Sequence, residues 1–401
     1  MRSSSVVGGP SSSRPIRVIH VITRLILGGA QENTLLTVEG LSRVQGYRVT
    51  LVTGPAIGPE GDLIRRAKAN GADLVVLPAL RRAISPVHDL MAYRALRRIF
   101  RREKPDVVHT HSSKAGILGR MAARAENVPV ILHTIHGPSF HPHQPRVANR
   151  IVISLERRTA RYTNKLISVS DAMTEQYVEA GVAPREKFVT IYSGMEVAPF
   201  LAEDGARERM RQRFGIRPDE LVVGKIARLF KLKGYEYVLQ AAPAVLRHFP
   251  RARFLFIGDG ILRADLESLA RRLGVMERIT FAGLIEPEEI PGAIKAMDVV
   301  VHASLREGLA RVLPQALLSG KPVVSFDVDG AREVVINGRT GFLVKPESVE
   351  GLADAIIRTL GDLPAAQRMA ARGRELFSDR FRVETMVREI AALYRDLLGR
   401  E

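Results

Sequence analysis

The stretch Ala303-Ser304-Leu305-Arg306-Glu307-Gly308-Leu309-Ala310-Arg311-Val312-Leu313-Pro314-Gln315-Ala316-Leu317-Leu318-Ser319-Gly320 decides how this chain folds. An apolar β-branched run, Val299-Val300-Val301, precedes it and reads as a buried strand. Glu307-Gly308 breaks that run. Pro314 then suits the first turn of a helix, where its missing N–H costs little. The order is strand, glycine turn, helix. Backbone N–H groups at the helix start, around Leu309, Ala310, Arg311 and Val312, suit an anion such as a phosphate. The carboxylate of Glu307 beside them suits neutral hydroxyl groups, such as those of a sugar.

The same alternation runs through the rest of the chain. Seven short apolar runs read as strands in the first half: 17–21, 48–53, 73–77, 107–110, 130–134, 165–169 and 187–191. Six follow in the second half: 221–226, 253–257, 278–281, 298–301, 322–325 and 341–344. Amphipathic segments lie between them, for example 62–69, 87–102, 235–248, 264–273 and 352–360. This pattern predicts parallel sheets with helices on both faces, and too many strands for one sheet. The fold class is therefore α/β, with two Rossmann-like parallel-sheet domains facing across a cleft. Expected boundaries are a disordered leader at 1–14, an N-terminal Rossmann-like domain at 15–200 and a C-terminal Rossmann-like domain at 201–375. A helical tail at 376–401, within a segment that reads helical from 366 to 399, crosses back to the first domain.

Bulk properties narrow the function. At 401 residues and 46% hydrophobic content the chain supports more than one packed core. Cysteine is absent, which removes disulfides and thiolate metal sites and fits a reducing cytoplasm. No run reaches the roughly 18 apolar residues of a membrane span. The Ser/Gly-rich opening lacks the apolar core of a secretory signal. Sixty Lys+Arg against 43 Asp+Glu give a formal charge of +17, which attracts phosphates or anionic lipid headgroups. With aromatics at 5% and no Trp, stacking on single-stranded nucleic acid is poorly supplied, so no nucleic-acid partner is expected.

Several local motifs add chemistry. Gly28-Gly29-Ala30 after the first strand opens a helix and lets the backbone approach a phosphate. Lys225-Ile226-Ala227-Arg228-Leu229-Phe230-Lys231-Leu232-Lys233-Gly234 puts cations beyond a strand end, and Arg228 and Lys233 suit a diphosphate. His136, in Thr134-Ile135-His136-Gly137, ends a strand before a glycine turn. His109, His111, His133, His136, His141 and His143 crowd within 35 residues, yet lack metal-ligand spacing, so no metal is expected. Asp327-Val328-Asp329 looks like a metal–diphosphate motif but reads as a turn before Gly330. Phe256-Ile257-Gly258-Asp259-Gly260 resembles a dinucleotide fingerprint, but Arg263 stands where a third glycine belongs. The segment 87–104 reads as an amphipathic helix, with Leu90, Met91, Leu96, Ile99 and Phe100 inward. Arg94, Arg97, Arg98, Arg101, Arg102 and Lys104 form its basic face, a candidate for anionic lipid.

Taken together, 17–395 resembles the retaining glycosyltransferases of the GT4 family, with the GT-B fold. The carriers are G-G-A-Q-E-N (28–33), H-S-S-K-A-G-I-L-G-R (111–120), T-I-H-G (134–137) and S-V-S (168–170). They continue with Y-S-G-M-E (192–196), A-R-L-F-K-L-K-G (227–234), F-I-G-D-G (256–260) and R-E-G-L-A-R-V-L-P-Q-A (306–316). The resemblance implies a hexosyltransferase that takes a nucleotide-diphospho-sugar, a UDP-sugar, as donor and needs no cofactor or metal. It implies catalytic roles for His136, Arg228, Lys233 and Glu307. Donor contacts would come from Gly28, Gly29, Arg228, Lys233, Gly258, Glu307, Gly308, Leu309, Ala310, Arg311, Val312 and Gln315. His111, Ser112 and Lys114 would lie in the acceptor region. The family commonly has a second Glu eight positions after the first, on the nucleotide ribose; here it is Gln315, which cannot offer a charge-assisted bond. The acceptor is expected to be lipid-linked or a saccharide, in cell-surface polysaccharide or glycolipid synthesis. The enzyme is expected to be cytoplasmic, on the inner face of a membrane through 87–104. Two alternatives carry different expectations: a nucleotide-sugar epimerase of the same fold, and a non-catalytic basic protein that binds membranes or nucleic acid.

Overall fold

The structure, a computed structural model, describes residues 14–56, 63–70 and 72–400. Residues 1–13 of the expected leader lie outside the described residues. The strands are β1 (Ile16–Ile22), β2 (Tyr47–Thr53), β3 (Asp73–Val76), β4 (Val107–His111), β5 (Val130–Ile135), β6 (Lys165–Ser168) and β7 (Phe188–Thr190). They continue as β8 (Val222–Ile226), β9 (Arg253–Ile257), β10 (Ile279–Gly283), β11 (Val299–His302), β12 (Val323–Phe326) and β13 (Phe342–Val344). All thirteen runs expected from the sequence therefore form strands, with ends shifted by one or two residues.

They make one seven-stranded sheet in the order β3-β2-β1-β4-β5-β6-β7 and one six-stranded sheet in the order β10-β9-β8-β11-β12-β13. The recorded strand pairs are parallel. Both orders reverse beside their first strand, between β1 and β4 and between β8 and β11. Open α/β sheets bind ligands at such a switch point, outside the carboxyl ends of the strands. The chain separates into two compact units: one within 1–134, 158–165 and 391–401, the other 135–157 with 166–390.

In the second unit, Phe254, Phe256, Val299, Val301 and Val324 pack against Leu239, Val245 and Ile356 of the covering helices. Val222, Val223, Val299, Val300 and Val301 are all essentially inaccessible, as strands covered on both faces require. In the first unit, Ile19 and Val21 join Val108, Leu96 and Phe100 in a core. Between them in sequence, His20 takes part in a buried polar cluster with residues of β4.

Two expectations need correction. The segment 366–399 is two helices, Leu363–Phe377 and Val383–Leu398, not one. The chain between them is captured by Met195, whose N–H donates to the Phe381 carbonyl (2.8 Å) and whose carbonyl accepts from Val383 N–H (3.1 Å). No glycine or proline marks that break in the sequence. From Ala391 onward the last helix groups with the first unit. In the helix Pro86–Glu103, Ala92, Leu96, Ile99 and Phe100 are buried, but Leu90 and Met91 are 48% and 54% exposed. The buried stripe does not extend into the first turns. The basic face is partly neutralised, because Arg97 and Arg101 both pair with Glu126.

Candidate active site

In the second unit, the loops leaving β8, β9 and β11 are laced by backbone bonds. Leu229 N–H donates to Asp259 O (2.9 Å), Leu262 N–H to Leu229 O (3.0 Å), and Leu305 N–H to Leu232 O (2.9 Å). Two glycines make this possible. Gly234 has φ +68°, and a Cβ there would lie 1.8 Å from the Ala303 carbonyl oxygen. Gly258 has φ +129°, and its Cβ would lie 1.9 Å from the Ala227 oxygen. The geometry thus gives Gly258 a packing reason of its own.

This lacing brings Lys233 and Glu307 together. Lys233 Nζ lies 2.6 Å from Glu307 Oε1, with about a fifth of each side chain exposed. His302 Nε2, at the end of β11, is 3.6 Å from the same oxygen. Burial pushes the Glu307 carboxyl up, but Lys233 and His302 outweigh it and hold it well below the usual carboxylate range. Glu307 is therefore a fixed anion, an acceptor for hydroxyl donors. Arg228, on the same loop as Lys233, is exposed, with its guanidinium 5.0 Å from the Phe230 ring centroid.

His136 meets this loop from the residues after β5. A Cβ at Gly308 would lie 2.4 Å from the His136 carbonyl oxygen, so only glycine fits there. Burial, with Arg311 adding to it, lowers the His136 imidazole to about 3. It is neutral near pH 7 and can act as a hydrogen-bond group but not as an acid. Leu309, Ala310 and Val312 are buried, and the helix they lead into is short, Val312–Leu318, with Pro314 in its first turn as expected. Gln315 lies on that helix and is partly exposed.

The turn Asp327-Val328-Asp329 holds a residue whose role sequence reasoning missed. Asp329 has φ +46°. Its Oδ2 accepts the Glu307 backbone N–H (2.6 Å) and its Oδ1 accepts Gln176 Nε2 (2.6 Å). Asp329 opens the short 3-10 helix Asp329–Glu333, and its carboxylate sets the backbone of Glu307. His302 and Lys225 were missed too. Their signal was present: a polar residue inside an otherwise apolar strand.

The first unit carries the remaining expected residues. Gly28 precedes the helix Gly29–Arg43 and its carbonyl accepts Glu32 N–H (2.9 Å). Ser112, at φ +60°, lies 2.8 Å through its Oγ from Thr23 Oγ1, which joins the ends of β1 and β4. Lys114 Nζ is already engaged by Asp89 (2.6 Å) and the Ala83 carbonyl. His111 is buried in a cluster with His109 and His20 whose nearest ring nitrogens all lie within 4.8 Å of one another. These rings stack and bond pairwise: His20 Nδ1 to His111 Nε2 (2.9 Å), His109 Nδ1 to Tyr394 Oη (2.6 Å), and His109 Nε2 to Thr134 Oγ1 (2.6 Å). The sequence cluster at 109–143 did not include His20, which only the pairing of β1 with β4 brings to it.

Two family models match the chain. The glycosyl transferase 4-like domain covers 28–194, and glycosyl transferases group 1 covers 206–376. The chain belongs to this family and is a GT-B glycosyltransferase. Among curated relatives, it is 27% identical over 394 residues to the UDP-Gal:alpha-D-GlcNAc-diphosphoundecaprenol alpha-1,3-galactosyltransferase of Escherichia coli, covering 97% of this chain and 99% of that one. It is 28% identical over 388 residues to the alpha-D-kanosaminyltransferase of Streptomyces kanamyceticus, covering 90% and 98%. The fold matches that of Anabaena HepE, solved in complex with UDP and glucose, with TM-score 0.81, 22% identity, and 94% and 99% coverage. It also matches a sucrose-phosphate synthase from Thermosynechococcus elongatus, with TM-score 0.79, 22% identity, and 96% and 99% coverage.

Proposed function

We propose that this glycosyltransferase is a retaining enzyme. It moves a hexose from a UDP-sugar to a hydroxyl of a lipid-linked saccharide, in cell-surface polysaccharide or glycolipid synthesis. The observation that carries this reading is the Lys233–Glu307 pair at the β8/β11 switch point, with His136 packed on the adjoining glycine. Glu307 takes sugar hydroxyls. Lys233, with Arg228 beside it on the loop, takes the diphosphate. As the bond from the anomeric carbon to the phosphate oxygen breaks, negative charge grows on that oxygen and the fixed cations stabilise it. The acceptor oxygen bonds to the anomeric carbon on the same face, and its proton passes to the departing phosphate. No carboxylate nucleophile and no divalent ion takes part.

The acceptor reading rests on the first relative's name, which specifies a diphosphoundecaprenol substrate for that enzyme. Two surface helices support a site at an anionic membrane. Pro86–Glu103 exposes Val87, Leu90 and Met91. Arg146–Ala160 exposes Val147, Ile151 and Leu155, four residues apart on one face, with exposed Arg146, Arg150 and Arg158; its acidic residue, Glu156, is buried. No helix of the described residues is long and apolar enough to cross a membrane. A reducing cytoplasmic location fits the lack of cysteine.

The test is incubation with a panel of UDP-sugars, with and without polyprenyl-diphosphate saccharides, in EDTA. Acceptor-dependent UDP release with the donor's anomeric configuration in the product is expected. Acceptor-independent change of the sugar would favour the epimerase, an inverted product would overturn retention, and loss of all turnover in EDTA would overturn the metal-free reading.

A further inference from the structure

Lys225 lies inside β8 and is 1% exposed. Burying an ammonium is costly unless it is paired. Among the described residues it makes no hydrogen bond or ion pair; its Nζ stands 5.0 Å from the Tyr235 ring centroid, a cation–π distance. The charged groups that act on it are Lys233 in its own loop, Glu307 after β11, and Glu236 in the helix Tyr235–His248. His302 of β11 in turn experiences Lys225, Lys233 and Glu307. Two lysines and a histidine thus share Glu307, and Lys233 already occupies it at 2.6 Å.

This arrangement is overstocked with cationic groups for the free protein and suited to one that receives an anion. We infer that Lys225 is a second, buried counter-ion of the donor site, a group whose charge a bound nucleotide diphosphate stabilises. The inference rests on reading Lys233 and Glu307 as the diphosphate site. Burial first, then the like charge of Lys233, lowers the Lys225 ammonium to about 7, against the pull of Glu307 and Glu236. A bound diphosphate supplies the missing negative charge and reverses that balance. Binding is then coupled to proton uptake, and affinity falls as pH rises above neutral.

Calorimetry of UDP binding to the full chain, in buffers of different ionisation enthalpy, counts the protons. Wild type is expected to take up close to none at pH 6, about half a proton at pH 7 and about one at pH 8. The phosphate of UDP, with a second pKa near 6, gives the opposite sign, because cations drive its proton off, and it does so mainly below pH 7. His302, lowered from its ordinary value, would give uptake that declines towards pH 8. In Lys225→Met the uptake at pH 8 disappears, and UDP binds about a hundredfold more weakly at pH 6, a gap that narrows to about tenfold at pH 8. Wild type binding UDP with no uptake at pH 8, or uptake that survives Lys225→Met, overturns the inference and leaves the donor-site reading standing. Wild type that fails to bind UDP overturns both. If Lys225→Met does not fold, the rise or fall of wild-type uptake between pH 7 and 8 decides alone.

Discussion

Replacing Lys233 by Met tests the centre of the site. The ammonium sits 2.6 Å from Glu307 Oε1, and both side chains are about four-fifths buried. Removing one partner of a fully buried pair costs about 3–5 kcal/mol. A fifth of each side chain remains in water and His302 stays 3.6 Å away, so about 2 kcal/mol of stability is the reasonable expectation here. Spread over a domain of this size, that lowers Tm by about 5 °C, readable by calorimetry. The loss depends on pH. The folded Glu307 carboxyl is held below its ordinary value, so its contribution is present above the unfolded carboxylate pKa and fades as pH falls through it. The Tm gap between wild type and Lys233→Met is therefore wide at pH 7 and narrows towards pH 3. Glu307→Gln added to Lys233→Met removes the stranded charge and restores part of the Tm. Activity does not follow stability: the double variant stays inactive, and Lys233→Met alone loses at least a hundredfold in turnover, about 3 kcal/mol of transition-state stabilisation. A folded Lys233→Met enzyme with turnover within threefold of wild type would refute the reasoning.

Three further outcomes follow from the same geometry. Asp329→Ala leaves the Glu307 N–H and Gln176 without their shared acceptor, at a cost of about 2 kcal/mol, and lowers turnover at least tenfold. Asp329→Asn keeps an acceptor for the amide and restores most of that turnover, which steady-state kinetics on the pair will register. Gly234→Ala puts a Cβ 1.8 Å from the Ala303 oxygen at φ +68°, so urea unfolding should show a loss of about 3 kcal/mol; an unchanged midpoint would contradict the close approach. Gln315→Glu should tighten UDP binding several-fold with little change in kcat, because a carboxylate makes stronger bonds to ribose hydroxyls than an amide does. Equal UDP affinities by calorimetry would remove Gln315 from the nucleotide site.

The class of fold was legible because it depends on local signals. Thirteen short apolar runs separated by amphipathic segments specify parallel strands and crossover helices one unit at a time. The pairing of a glycine turn with Glu307, and of Lys233 with Gly234, was equally local. What failed depended on packing rather than on local signals. The break at 378–382 carries no glycine or proline, and is made by Met195 from far upstream. Leu90 and Met91 have the spacing of buried residues, but the packed stripe ends before them.

Sequence alone therefore determined the strand–helix alternation, the two sheets and the residue types at their strand ends, since each follows from hydrophobic period and turn chemistry within a few neighbours. Tertiary structure alone decided which of those residues meet. Strand order placed Lys233 against Glu307, Asp329 beneath its amide, His20 among the histidines of β4, and Lys225 over the Tyr235 ring. Contacts across tens of residues arise from sheet order and loop closure, and no local periodicity encodes them.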